Sequence, residues 1–323
     1  MTTAVAAPFR FFALHVLRTR RLGPSMVRIT FGGADLSAFA SGGRDQSLSL
    51  FLPHPGQPAP VVPVAAGEGW WRAWRQLPEH VRAVMRSYTV RAQRPAPGGG
   101  TEIDIDFALH GQAGHPPAAQ GPQGPTAHEP HEPHDRATHA PHRPHGPTAH
   151  HRSPALPHGP AARWAARARP GDRALVLGPV VEDNSGVRFR PPAGTDLVVL
   201  YADETALPAL AAILESLPAG LPVRAWCEVA DAADVQELPT AADARITWLV
   251  RGRGAPTAAE AVGAAPLPAC TAPYAWVAGE SGQVKAVRGH LVTERGFDRG
   301  RVTFVGYWRR GLSEEQLRAR ARA

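Results

Sequence analysis

Cysteine is scarce: Cys227 and Cys270 are the only two in 323 residues. Two thiols so far apart cannot build a disulfide framework, a four-thiolate iron–sulfur cluster or a structural zinc site, so both read as core or near-core residues. Lysine is scarcer still. Lys285 stands alone, and arginine carries nearly all of the 35 basic side chains behind a formal net charge of +7. That surplus is spread along the chain without a helix-turn-helix, zinc-finger or RNA-recognition pattern, which argues against nucleic acid and fits a basic cleft facing an acidic small molecule. No apolar run reaches 18 residues, so no membrane span is expected. Phe11–Leu17 is too short for a signal-peptide core and leads directly into strand-like sequence, so a cytoplasmic protein is expected. The sequence carries no sign of oligomeric state, and a monomer is the default expectation.

What is present is a change of rhythm along the chain. "SMVRITF" alternates Val27, Ile29 and Phe31 with Arg28 and Thr30, the period-2 signature of a half-buried strand. "LSLFLP" (48–53), "RSYTVRA" (86–92) and "EIDIDFALH" (102–110) repeat it between Gly/Pro-rich turns, with little helix between them. This predicts a small antiparallel barrel or sandwich. "GPAARWAARARPGD" (159–172) reads as a helix with Trp164 at its centre, and "RALVLGP" (173–179) as one more strand. From residue 196 short apolar strands alternate with helices: "VRAWCEVAD", "ITWLV", "YAWVAGE" and "RVTFVGYW" are strands, and Leu207, Leu210, Leu214 and Leu217 share one helical face closed by Gly220. A parallel α/β domain is predicted, with domains at 1–192 and 193–323 and a ligand cleft at the carboxyl ends of the parallel strands.

Within the first domain, at about residues 112–158, an insertion has almost no aliphatic or aromatic side chains. Ten histidines fall between residues 112 and 158, and "GPTAH" occurs twice, at 124 and 146. The composition predicts a disordered, partly polyproline loop grown by local duplication. His128, His131 and His134 have a spacing that can gather imidazoles around a metal, but no carboxylate pattern selects one, and no metal site is assigned.

"RSYTVRA", "DIDFALHG", "GPAARWAARARPGD", "YADETALPAL", "WVAGE" and "GYWRRGLSEEQ" occur in this order. Together they resemble the siderophore-interacting protein family, FAD-containing ferric-siderophore reductases related to ferredoxin reductases. The resemblance covers essentially the whole chain outside the insertion. It implies an FAD-binding β-barrel followed by an α/β domain receiving NADH or NADPH, with electrons passed to a ferric siderophore and ferrous iron released in the cytoplasm.

The resemblance assigns roles residue by residue. Arg86, Ser87, Tyr88 and Thr89 match the flavin motif: a guanidinium suits pyrophosphate oxygens, a tyrosine ring can lie against the isoalloxazine, and a small hydroxyl leaves its reactive face open. Asp106, Phe107 and His110 are implied beside the adenine or pyrophosphate. Gly159, Pro160, Ala161 and Ala162 open a helix whose N-terminus suits an anion. Asp203, Glu204 and Thr205 are implied to wall the nicotinamide and flavin, with Thr205 capping the helix that follows; Ala202 stands where the family usually has Gly. Gly279 and Glu280 lie at the same edge. Lys285, Arg309 and Arg310, beside Tyr307 and Trp308, are expected to meet the anionic iron chelate. Arg251 and Arg253 are candidates for a 2′-phosphate. No residue is assigned acid–base catalysis, since the cofactor carries the chemistry. Two alternatives stay open from the sequence: a related flavin reductase with another electron acceptor, and a metal-binding protein acting through the His-rich loop.

Overall fold

The computed structural model describes residues 8–109, 159–312 and residue 316. His110 and the His/Pro-rich stretch lie outside them. The first half is an antiparallel sheet of seven strands: β1 (Phe9–Gly23), β2 (Met26–Gly32), β3 (Ser47–Leu52), β4 (Val84–Thr89), β5 (Ala92–Pro95), β6 (Thr101–Ala108) and β7 (Arg173–Pro179). Their spatial order is β4-β3-β7-β1-β2-β6-β5. The two edge strands, β4 and β5, are consecutive in sequence with only Val90 and Arg91 between them. The sheet must therefore roll until its edges meet, which makes it a barrel rather than a flat layer. Inward positions alternate as the period-2 pattern requires: Phe12, Leu14 and Val16, then Val27, Ile29 and Phe31, then Ile103, Ile105 and Phe107 fill the interior. In this half one helix was not foreseen. The helix α1 (Trp70–Gln76) carries Trp70, Trp71 and Trp74, which pack with Phe11 and Phe51.

The other face of the barrel differs from the solvated surface that alternation suggests. Glu102, Asp104 and Asp106 on β6 are all buried, beneath arginines. Arg28, directly across from Asp106, grips it with Nε at 2.7 Å and Nη2 at 2.8 Å. Arg94 reaches Asp104 at 2.7 Å and Glu102 at 2.6 Å, Arg18 takes Glu102, and the Thr30 hydroxyl donates to Asp104. Long side chains lie along the sheet and keep their heads on the acids, so a row of charges closes over β2, β5 and β6. Hydrogen bonds from Arg18 hold the Glu102 carboxyl below its ordinary range. For Asp104, burial pushes upward, but Arg94 and Thr30 outweigh it.

The second half is a parallel sheet of β8 (Leu197–Ala202), β9 (Pro222–Val229), β10 (Asp243–Val250), β11 (Pro273–Glu280) and β12 (Val302–Trp308), in the order β10-β9-β8-β11-β12. All six residues of β8 are buried, as a central parallel strand covered on both faces demands. One face packs under α3 (Leu207–Ser216), the other under α4 (Ala258–Ala264) and α5 (Ser281–Thr293). The helix α3 stops at Ser216, before Pro218. Gly220 (φ 75°) turns the chain into β9 rather than closing the helix. Cys227 is buried and Cys270 half-buried, both free. Among the described residues no helix is long and apolar enough to cross a membrane.

The two sheets are joined by buried polar contacts. Asp45 accepts from the backbone N–H groups of Arg188 and Phe189 with one oxygen, and from Trp276 Nε1 of β11 at 2.9 Å with the other. Asp234, in the loop after β9, accepts from the Ser25 N–H in the β1–β2 turn at 2.8 Å. A Cβ on Gly23 of that turn would stand 2.4 Å from the Asp234 carboxylate, so only glycine permits the approach.

The charge row yields a direct test. Arg28→Ala leaves Asp106 buried and unpaired, and is expected to cost about 3 kcal/mol in urea unfolding. Because Glu102 and Asp104 are held low, their share of stability is complete above the ordinary carboxylate range and fades as pH falls below about 4. Unfolding midpoints followed from neutral pH into acid should show that loss.

Candidate functional site

The site is built where the edge strand β4 meets the carboxyl ends of the parallel strands. Strand β4 pairs on one side only, with β3. On it Ser87 is exposed, Arg86 and Tyr88 are half-buried, and Thr89 is buried. The Tyr88 ring rests on Phe107 of β6, centroids 4.5 Å apart, and Phe107 in turn meets Trp164. Trp164 belongs to α2 (Pro160–Ala165), which packs on both β4 and β6 and stacks on Phe31. The helix is shorter than the sequence suggests, six residues with Pro160 at its start, and ends well before Pro170 and Gly171. Ala161 and Ala162 are buried against the barrel. The RSYT stretch, Phe107 and the short helix opened at 159–162 thus lie together.

At Thr89 and just after it, the barrel touches the other sheet. The Tyr307 hydroxyl of β12 comes up beside Thr89, and burial pushes its pKa up. Two residues on, Arg91 forks Glu215 of α3 at 2.6 and 3.0 Å. The parallel sheet reverses its strand order between β8 and β11, the switch point at which open sheets receive ligands.

Asp203 closes β8 at that point. One oxygen accepts from the N–H of Thr205, the N–H of Ala206 and the Thr205 hydroxyl; the other accepts from the Glu280 N–H at 2.8 Å and Trp308 Nε1 at 2.7 Å. A single carboxylate therefore ties β8, β11 and β12 together. Gly279 makes this possible: its φ is 139°, and a Cβ there would lie 2.6 Å from the Asp203 carboxylate. Burial, with Glu204 beside it, raises the Asp203 pKa to about 6. Glu280 caps α5 through the N–H groups of Gly282 and Gln283 and accepts from Arg310 N–H. Ser281 Oγ donates to the Trp308 carbonyl, folding the 308–312 turn over the start of α5. Arg309, Arg310 and Lys285 are exposed around that helix start.

Several expectations change. Asp106 sits on the face of β6 opposite Phe107, with both oxygens held by Arg28, so it does not join Tyr88. The helix α3 has Ala206 at its cap with no side-chain bond. Asp203 supplies the carboxylate at that end, and Thr205 donates to it instead of capping. Glu204 is buried and paired with Arg251, not turned to an open wall. Arg251 is likewise held, by Glu204 and Glu228. His110 falls outside the described residues. Sequence reasoning missed Asp45 and Glu228; the only signals were a Gly-Gly-Arg turn before the first and an acid near the end of an apolar strand for the second.

A rolled antiparallel barrel abutting a parallel sheet at its switch point defines a two-part nucleotide-binding protein. The model for the siderophore-interacting FAD-binding domain matches residues 15–127, and that for the siderophore-interacting protein matches residues 195–311. A siderophore utilization protein from T. fusca, of known crystal structure, is 31% identical with a TM-score of 0.63, covering 96% of this chain and 97% of that one. The ferric vibriobactin reductase ViuB of Vibrio cholerae serotype O1 is 27% identical over 94% of this chain and 90% of its own length. The NADPH-dependent ferric-chelate reductase of Escherichia coli K12 is 27% identical over 93% of each. The chain belongs to the siderophore-interacting protein family.

The residues present fit FAD. A guanidinium (Arg86), hydroxyls at Ser87 and Thr89 and a half-buried tyrosine ring line an edge strand, next to buried small residues at the start of α2. That donor set suits an anionic pyrophosphate joined to a flat ring system.

Two outcomes are expected at the switch point. Gly279→Ala should lower stability by about 2 kcal/mol in thermal or urea unfolding, from strained φ and contact with Asp203 together. Asp203 has a raised folded-state pKa, so between about 6 and the ordinary carboxylate value the folded state binds the extra proton. Its burial penalty is therefore largest at neutral pH and shrinks as pH falls through about 6. Unfolding free energies of wild type and Asp203→Asn, compared across that window, should show the pH dependence in the wild type only.

Proposed function

We propose that this chain is an FAD-dependent reductase of ferric siderophores that draws electrons from NADH or NADPH and releases ferrous iron in the cytoplasm, working as a monomer. The observation that carries the reading is the meeting of β4 and β12 at Thr89 and Tyr307. It supports the reading because the RSYT stretch of the barrel then lies near the carboxyl edge of the parallel sheet. We assign residues 1–192 to the FAD-binding part and 193–323 to the part that receives dinucleotide and chelate.

In this reading Arg86 holds the pyrophosphate, aided by the backbone at the start of α2. Tyr88, braced by Phe107, sets the plane of the ring system, and Thr89 meets Tyr307 so that the second sheet keeps its distance. Asp203 fixes Trp308 and the 308–312 turn, and with it the placement of Arg309 and Arg310. Those two cations and Lys285 attract a negatively charged ferric chelate. FAD, when bound, supplies the exchange between the two electrons of a nicotinamide hydride and the single electrons that Fe(III) accepts. One dinucleotide thus serves two chelates, and the oxygen donors of a siderophore hold Fe(II) more weakly than Fe(III).

The test is an absorption spectrum of the purified protein with added FAD, followed through addition of NAD(P)H and then of a ferric siderophore with a ferrous trap. Flavin bands that bleach and return as trapped iron appears would support the reading. Bands that return only with free flavin or a quinone would replace the acceptor, and no flavin bands at all would overturn it. Arg86→Ala is expected to weaken FAD retention by about tenfold or more, as loss of a charge-assisted hydrogen bond does.

A further inference from the structure

Three adjacent strands end in charged side chains that the reading above leaves without a role. Glu204 follows β8, Glu228 is the penultimate residue of β9, and Arg251 follows β10. Arg251 Nη1 donates to Glu204 at 2.7 Å and to Glu228 at 2.9 Å, and its Nη2 also meets Glu204. The Tyr201 hydroxyl donates to the second oxygen of Glu228 at 2.9 Å. The Glu204 side chain is 3% exposed, whereas Glu228 keeps 12% and Arg251 40%. Of the two carboxylates, Glu228 is the one a ligand at the sheet edge can reach.

Its place in the topology gives that access a meaning. In an open parallel sheet a dinucleotide lies across the carboxyl ends, and an acid at the end of the second strand of the first βαβ unit accepts from the ribose 2′-hydroxyl of its adenosine half. Here β8, α3 and β9 form that unit, and Glu228 stands at the end of its second strand. A carboxylate offers about four acceptor positions, and Tyr201 and Arg251 occupy two, so a ribose diol can still bond. A 2′-phosphate meets the opposite conditions. The two carboxylates cancel Arg251 and the exposed Arg253, leaving no positive surplus, and the guanidinium able to fork a phosphate is already held.

We propose that Glu228 makes this chain select NADH over NADPH by accepting the adenosine 2′-hydroxyl, with Tyr201 and Arg251 as positioning residues for its carboxylate. The inference rests on the proposed use of a nicotinamide dinucleotide as electron donor. The name of the Escherichia coli relative specifies NADPH for that protein; this chain's edge carries the opposite preference.

Binding tests this apart from turnover. The full chain is titrated calorimetrically with 5′-AMP and with adenosine 2′,5′-bisphosphate. The mononucleotide should bind about tenfold tighter or more, and Glu228→Gln should shrink that ratio to about threefold or less. With FAD loaded, kcat/KM for chelate reduction should favour NADH in the same sense. Tighter binding of the bisphosphate, binding of neither nucleotide, or an unchanged ratio in Glu228→Gln would overturn the inference. Should that variant fail to fold, the wild-type ratio alone decides. A clear preference for 5′-AMP in a protein that reduces no ferric chelate would sink the proposed function and leave this inference standing.

Discussion

Asp45 takes no part in the chemistry, yet the geometry of the whole molecule hangs on its carboxylate. One oxygen fixes the backbone of the segment leading out of the barrel, at Arg188 and Phe189; the other fixes Trp276 in the middle of β11. The bonds from Phe189 N–H and Trp276 Nε1 are buried, where an unmade bond costs the full desolvation of the group left behind. The turn that presents Asp45 is itself unusual. Gly43 and Arg44 both adopt positive φ, and Arg44 is the one non-glycine residue to do so among those described. With Trp276 held, β11 and β12 arrive at a fixed height relative to β4, and Tyr307 finds Thr89.

The same economy appears at the switch point. Asp203 gathers five donors from three stretches of chain, and the absence of one Cβ, at Gly279, gives it room. Neither carboxylate is a surface ion pair of doubtful worth. Each is a buried hub, so the loss of either would leave several orphaned donors rather than one.

Much of the fold was legible because burial writes itself into spacing. The alternation in β2 and β6 and the unbroken apolar run of β8 have only one packing solution each. The polar face of β6 was harder: alternation says that Asp104 and Asp106 point away from the barrel interior, but not that arginines from neighbouring strands will cover them. For that reason Asp106 looked like a ligand residue and is instead the partner of Arg28. At the site, the RSYT and AGE stretches were readable as short patterns at strand ends. The partners of Asp203, Glu204 and Asp45 come from residues far off in sequence, and long-range pairing leaves no periodic trace. Helix α1 escaped notice because its seven residues are too few to show a helical period, and its tryptophans suit a strand as well.

Lys285 sits exposed near the start of α5, about one helical turn from Arg288, whose guanidinium lies over the half-exposed Phe304 ring. As the only lysine in the chain, it offers the only side-chain amine for acylation. An amine-reactive dye therefore reports from a single known side-chain position next to the proposed chelate face, leaving the arginines untouched. The composition that gave this protein almost no lysine has equipped it with a ready-made spectroscopic address.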